Sequence, residues 1–250
     1  MTFKTFHLFS VFLILLIIGC KDQPSTKNKE VPQVQTKSDS LDSLKTEAEK
    51  KTGEVEVVKE VEKEEEPFKL TEDNAIEFFY EYNKTLTENT VKLTTRFGDI
   101  IIELYDNVPY HKANFIYLTK NGYFNNTYFH RVVKDFIIQG GNADNMETAK
   151  KRGEIGRYLL PPDTRKGHKH HRGTISMPSS DMDNPHKLAS PYEFFIVVTK
   201  PGSYHLDNNY TPFGRVIEGM DVVDEINRQP VDNGDWPSQN IIIQKAEVIN

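Results

Sequence analysis

The sequence predicts a mainly β fold, a β-barrel with helices covering its ends. Three observations carry this. After Val91, short stretches alternate apolar and polar residues, as half-buried strands do. Two short helical patterns interrupt them. No strand–helix–strand rhythm runs through the chain, which argues against a doubly wound parallel sheet. No internal repeat is present.

The elements follow in chain order. Residues 1–19 carry one cation, Lys4, and then a largely apolar run, Phe6–Ile18. That run is too short for the roughly 20 residues a membrane span needs, and it fits the core of an export signal. It ends in Leu16-Ile17-Ile18-Gly19-Cys20, which resembles the lipobox of bacterial lipoproteins. The resemblance implies cleavage before Cys20 and acylation of that cysteine. Cys20 is the only cysteine, so an exported domain without disulfides must rely on its core. Residues 20–66 are rich in Lys, Glu, Ser and Thr, and 21–66 contain no aromatic side chain. Such a segment buries too little apolar surface to offset its chain entropy and reads as a disordered tether.

Residues 67–90 read as an accessory helix. Thr71-Glu72-Asp73-Asn74 caps it, and Ile76, Phe79, Tyr80 and Asn83 form its expected face. Residues 91–250 form the main domain. Val91, Leu93, Thr95 and Phe97 alternate, Gly98-Asp99 is the expected turn, and Ile100, Ile102 and Leu104 alternate back as a hairpin. Pro109 opens a helix that Asn121-Gly122 closes. Asn142 to Pro162 is an expected long loop. Gly219-Met220 begins a second helix with Met220, Val223 and Ile226 on one face, and Ile241–Ile249 reads as the last strand.

The stretch 128–142 concentrates the chemistry. Phe129-His130-Arg131, then Phe136, then Gln139-Gly140-Gly141 resembles the signature of the cyclophilins. Those are peptidyl-prolyl cis/trans isomerases on a closed antiparallel β-barrel. The resemblance runs from about Val91 to the C-terminus. It includes Gly173-Thr174-Ile175-Ser176-Met177, Glu193-Phe194-Phe195-Ile196 and the loop before Phe213-Gly214.

Rotation about an X-Pro bond faces a barrier of about 18–20 kcal/mol, set by amide resonance. The nitrogen lone pair is localised only when the amide is twisted, so a donor aimed at it binds the transition state best. Arg131 is the candidate, because guanidinium stays charged and offers a rigid fork of donors. Shortening tens of seconds to about a millisecond requires about 5.5 kcal/mol. One charge-assisted hydrogen bond contributes only about 1.5–3 kcal/mol. The remainder requires an apolar pocket that grips the proline ring and excludes water.

The resemblance assigns that pocket by position. Phe136 and Ile137 would line it, Phe195 would be its floor, and Leu206 and Tyr210 would close it. Gln139 would position Arg131 by hydrogen bonding. Ser179 lies in the segment that offers backbone groups to the peptide. Read singly, Phe136, Phe195 and Leu206 are ordinary core residues, but together at this spacing they favour the pocket; the rival reading of Arg131 is a surface ion pair, which the flanking Phe129-His130 and Gln139 disfavour.

Three positions depart from the family pattern. Met177-Pro178-Ser179-Ser180 replaces Met-Ala-Asn-Ala, and Pro178 removes a backbone donor. Glu193 replaces a glutamine and should face the same side as Phe195, where it either braces Arg131 or pairs with it. His205 replaces a tryptophan that contributes strongly to cyclosporin binding, so weak binding of that drug is expected.

Lys166-Gly167-His168-Lys169-His170-His171-Arg172 gathers imidazoles between cations, with no carboxylate beside them in sequence. It reads as a polar connection and not as a metal site. The net charge is −6, and losing Lys4 with the leader makes the chain more acidic, which argues against a nucleic-acid partner. The expected partners are proline-containing polypeptides and, through Cys20, a membrane of the bacterial cell envelope. No cofactor is expected, and the domain is expected to act as a monomer. The rival readings are a proline-peptide-binding module with weak turnover and a structural envelope lipoprotein.

Overall fold

The computed structural model describes residues 67–179 and 184–250. The leader, Cys20, the tether and Ser180 lie outside the described residues. The described residues fall in one unit, Glu62–Asn250.

β1 (Thr90–Thr95) and β2 (Gly98–Leu104) form the expected hairpin. Thr95 pairs with Gly98, so Arg96-Phe97 is the tip and the turn comes earlier than Gly98-Asp99. The Thr95 hydroxyl holds it there, donating to Gly98 O at 3.0 Å and accepting from Phe97 N at 3.1 Å. Seven further strands follow: β3 (Thr127–Val133), β4 (Ile137–Asn142), β5 (Thr174–Ser176), β6 (Phe194–Val197), β7 (Pro212–Glu218), β8 (Ile242–Ile243) and β9 (Lys245–Val248). Among the described residues they form one antiparallel sheet in the order β8-β3-β4-β6-β5-β7-β2-β1-β9.

The two ends of that order are adjacent in sequence. β8 pairs with β3 and β9 with β1, and between them Gln244 N donates to Thr94 O at 2.9 Å. The last strand therefore bends at Gln244 and joins both edges, giving a nearly closed barrel with little exposed edge. A single straight strand over Ile241–Ile249 would reach only one edge.

Phe115, Phe124, Phe129, Phe194 and Phe213 fill the interior with Ile100, Ile102 and Ile138, all fully buried. Phe194 is central, with Phe115, Phe124 and Phe129 edge-on at 5.5–5.9 Å. α2 (Pro109–Lys120) carries Pro in its first turn, as expected, and is buried on nearly every side. α4 (Met220–Asn227) buries Val223 and Ile226.

Two helical expectations are corrected. α1 (Ala75–Thr85) exists, but its inward face is Ala75, Phe78, Phe79 and Tyr82, while Ile76 and Tyr80 are exposed. The aromatic stripe wins because it matches aromatics on its neighbours: Phe78 meets Tyr117 edge-on at 5.2 Å, and Phe79 lies 5.5 Å from Tyr158. The segment from Asn142 to Pro162 is not a plain loop. It contains α3 (Met146–Ile155), capped by Asn145, whose side chain accepts from Thr148 N at 2.8 Å. Glu147–Lys151 and Lys150–Glu154 pair along its face at 2.9 and 3.7 Å.

Candidate active site

Strand geometry brings the motif residues together. On β3 and β4, Arg131 stands opposite Gln139, and Gln139 stands opposite Phe195 on β6. Gly141 allows the close approach required here. Its φ is +98°, and a Cβ there would lie 2.4 Å from Tyr192 O, beside Glu193. From α2, Asn114 accepts from the Tyr158 hydroxyl at 2.7 Å and donates to Pro191 O at 2.8 Å, fixing the chain that leads to Glu193.

Every residue expected at the site lines one cavity of about 730 Å³. Arg131, Gln139 and Glu193 supply its charged and amide groups, and Ser179 lies at its wall. Phe136, Ile137, Phe195, Leu206 and Tyr210 supply its apolar surface. Ile137, Phe195, Leu206 and Val197 form an apolar cluster separate from the barrel core, with Phe136 and Tyr210 packed against it. These side chains bury one another around an open hollow instead of filling the barrel. Tyr210 meets Phe195 edge-on at 5.5 Å, and His205 stacks on Phe136 at 5.4 Å.

Two polar expectations change. The Gln139 amide donates to Glu193 Oε2 at 2.9 Å, so the expected hydrogen bond from Gln139 to Arg131 is not the one made. Glu193 neither braces nor captures Arg131. Its Oε2 lies 3.5 Å from His130 Nε2 and its Oε1 lies 3.7 Å from Arg152. Burial pushes the Glu193 carboxyl up, but His130, Gln139 and Arg152 together outweigh that and hold it below the usual glutamate range. Arg131 instead meets Asp235, Nη2 to Oδ2 at 3.3 Å, with side chains 42% and 39% exposed. The backbone holds that loop in place, because Val132 N donates to Asp235 O at 2.8 Å.

The histidine patch is the expected polar connection, but one of its imidazoles is buried. His170 is fully buried, and Asp207 comes to it through the fold: Nδ1 lies 2.8 Å from Asp207 Oδ1 and Nε2 lies 2.9 Å from Ser176 Oγ. Burial lowers the His170 pKa, against the opposing pull of Asp207. His168 stacks on Tyr105 at 3.8 Å, and His171 Nδ1 lies 2.9 Å from the Tyr204 hydroxyl. The three imidazoles thus take separate partners.

Leu159, Pro178 and Ser190 also line the cavity, and Asp235 touches its arginine. Pro178 is held by its carbonyl, which accepts from Ser190 N at 2.7 Å. Asp232-Asn233-Gly234-Asp235 is legible as a turn, but nothing in the sequence links it to Arg131.

Residues 90–248 match the family model of cyclophilin type peptidyl-prolyl cis-trans isomerases. The chain belongs to that family. This cyclophilin is 36% identical over 161 residues to peptidyl-prolyl cis-trans isomerase-like 3 of Dictyostelium discoideum, covering 64% of this chain and 94% of that one. It is 35% identical over 170 residues to a peptidyl-prolyl cis-trans isomerase of Acinetobacter baylyi, covering 66% and 85%. It also matches isomerase-like 2 of Rhizopus delemar at 35% identity over 67% of this chain, but spans only 30% of that protein. The barrel is similar to the crystal structure of a cyclophilin-type isomerase from Cryptosporidium parvum, with a TM-score of 0.55 and 28% identity over 65% of this chain and 98% of the other. The cyclophilin family of enzymes catalyses peptidyl-prolyl isomerisation, and this chain carries that assignment.

Proposed function

We propose that this cyclophilin is a lipid-anchored isomerase of the bacterial cell envelope, acting on X-Pro bonds of other exported polypeptides. One observation supports the catalytic part: the Arg131 guanidinium lines the same hollow as Phe136 and Phe195. The proline ring sits on Phe195, between Phe136, Ile137 and Leu206. Arg131 donates to the amide nitrogen as the bond leaves planarity, and its interaction is strongest there. Gln139 and Glu193 form the polar wall against which the carbonyl side of the amide turns. Tyr210 and Ser179 bound the hollow. A relative supports the ligand class: a second structure of the C. parvum isomerase was determined in the presence of the dipeptide Ala-Pro. The leader, with Cys20 at its end, supports export and anchoring.

The test is a prolyl-isomerisation assay on the full chain beside Arg131→Ala and Arg131→Lys. Arg131→Ala should lower kcat/KM by about two decades with the fold unchanged, matching the loss of one charge-assisted hydrogen bond. Lysine should restore little, because it lacks the planar fork. Equal turnover in all three removes Arg131 from the chemistry. The Asp235 partner of Arg131 favours one alternative, a proline-peptide binder whose guanidinium is diverted. In that case the wild type turns over slowly while still binding proline peptides. Globomycin sensitivity and palmitate labelling of the wild type, absent in Cys20→Ala, test the anchor.

A further inference from the structure

Glu193 is held from α3 as well as from the barrel strands. Arg152, near the end of α3, reaches Glu193 Oε1 at 3.7 Å. Two further bonds fix its guanidinium: Nε donates to the Tyr123 hydroxyl at 2.8 Å and Nη2 to Asn142 Oδ1 at 3.1 Å. The Tyr123 hydroxyl in turn donates to Gly141 O at 2.8 Å, on the strand that carries Gln139. The guanidinium also lies 5.3 Å from the centre of the Tyr192 ring. The Arg152 and Glu193 side chains are 33% and 20% exposed, so their attraction is screened less than that of Arg131 and Asp235.

A second tie runs beside the first. The Tyr192 hydroxyl donates to Gly156 O at 2.6 Å, just past the last turn of α3. That turn is bridged to Leu70: Leu70 N donates to Ile155 O at 2.8 Å and Arg157 N to Leu70 O at 3.0 Å. The φ of Gly156 is +131°, and a Cβ there would overlap Leu70 O, so the bridge requires glycine. Leu70 is buried and precedes residue 90, where the family match begins. A segment outside that match is thus tied to the end of α3, and α3 to residues 192 and 193.

We propose that Arg152 is a positioning residue for the isomerase site, and that α3 and the Leu70 bridge form the clamp that holds it there. Arg152 does not line the proline hollow and acts through Glu193, which does. It keeps that carboxylate ionised and in place, and the carboxylate accepts from Gln139 and fixes the amide on the wall of the hollow. The inference rests on the isomerase reading, because it takes the hollow as the proline site.

The experiment compares the full chain with Arg152→Met and Arg152→Lys, and repeats Arg152→Met in a Glu193→Gln background. Arg152→Met should lower kcat/KM about three- to tenfold, and lysine should recover part of the loss. In the Glu193→Gln background the same substitution should change kcat/KM by less than about twofold, since the group it acts through is gone. The acid limb of the kcat/KM profile should also move to higher pH in Arg152→Met. Burial pushes the Glu193 carboxyl up, and without Arg152 less opposes it, so it protonates at higher pH and releases the Gln139 amide sooner. The other groups facing that carboxylate, His130 from β3, Gln139 from β4 and Tyr123, are the same in both proteins. Gly156→Ala, whose Cβ displaces Leu70, should move the limb the same way.

Equal losses in both backgrounds, with an unmoved acid limb, overturn the proposal and leave Arg152 a structural residue. The side-chain amide protons of Gln139, followed by NMR against pH, report the same carboxylate without turnover. If no peptide is turned over but this titration moves to higher pH in Arg152→Met, the isomerase reading fails and the positioning role stands. If proline peptides are turned over and the titration stays where it is in the wild type, the positioning role fails alone.

Discussion

The side-chain amide of Gln139 donates to Glu193 Oε2 at 2.9 Å. An ionised carboxylate only accepts, so this contact fixes the amide, with Nε2 toward Glu193 and the carbonyl oxygen turned away. A glutamine at 193 accepts either orientation and removes the counter-charge of Arg152. Glu193→Gln should therefore lower kcat/KM by about three- to tenfold, the worth of one hydrogen bond. A coupled isomerisation assay measures this, and unchanged kinetics would separate Glu193 from the reaction.

Asp235 meets Arg131 at 3.3 Å on a partly exposed surface. Exposed pairs contribute about 0.2–1 kcal/mol, which corresponds to no more than about fivefold in rate. Asp235→Asn should lower kcat two- to fivefold and leave KM and the melting temperature nearly unchanged, since the pair orients the guanidinium without binding substrate. A rise in kcat instead would mean that Asp235 competes with the substrate for the arginine.

Asp207 holds the loop that carries Leu206. It accepts from His170 N at 2.9 Å and lies 2.8 Å from His170 Nδ1, while His170 Nε2 reaches Ser176 on β5. The His170 ring lies parallel to Phe195 at 6.2 Å. Asp207→Ala leaves two buried donors without a partner, at about 1–3 kcal/mol each if water does not replace it. Thermal unfolding should fall by several degrees, and KM for proline peptides should rise several-fold as Leu206 loosens. A stability loss with unchanged KM would show that the tie serves the fold alone.

His111 is fully buried on α2, and neither ring nitrogen has a hydrogen-bond partner among the described residues. Burial pushes its pKa down to about 3. The unfolded chain takes up this proton below about pH 6.5, whereas the folded chain does not until about pH 3. Stability is therefore lost as pH falls through that window, at up to about 1.4 kcal/mol per unit from this group. His111→Leu should be more stable than wild type, by a margin larger at pH 5 than at pH 7. Urea unfolding at the two pH values measures the difference, and an equal margin at both would mean that His111 is hydrated and titrates normally.

Much of the site was legible because its spacing is local. Arg131 and Gln139 lie on the two strands of one β hairpin, where alternation sets which face each occupies, and Phe136 lies in the turn between them, placed by the resemblance to the cyclophilins. The same logic placed Glu193 and Phe195 together. Partners were not legible where they come from remote loops. Nothing in the sequence marked Asp235 or Asp207, and Arg152 lay in a segment expected to be a loop. The capping Asn145 and the Glu147–Lys151 spacing were signals for α3 that the polar composition of the segment obscured.

By itself, the sequence determined the family and the barrel, because apolar alternation and short motifs act over a few residues along the chain, and its resemblance to the cyclophilins named the residues that line the candidate hollow. It did not determine how the charges in that hollow are shared. Several carboxylates are available to each cation, and electrostatic preference between them depends on distances that only folding sets. Tertiary structure gave Arg131 to Asp235 and Glu193 to Gln139, His130 and Arg152. It also turned α1 onto its aromatic face, where packing against Tyr117 and Tyr158 outweighed the local pattern.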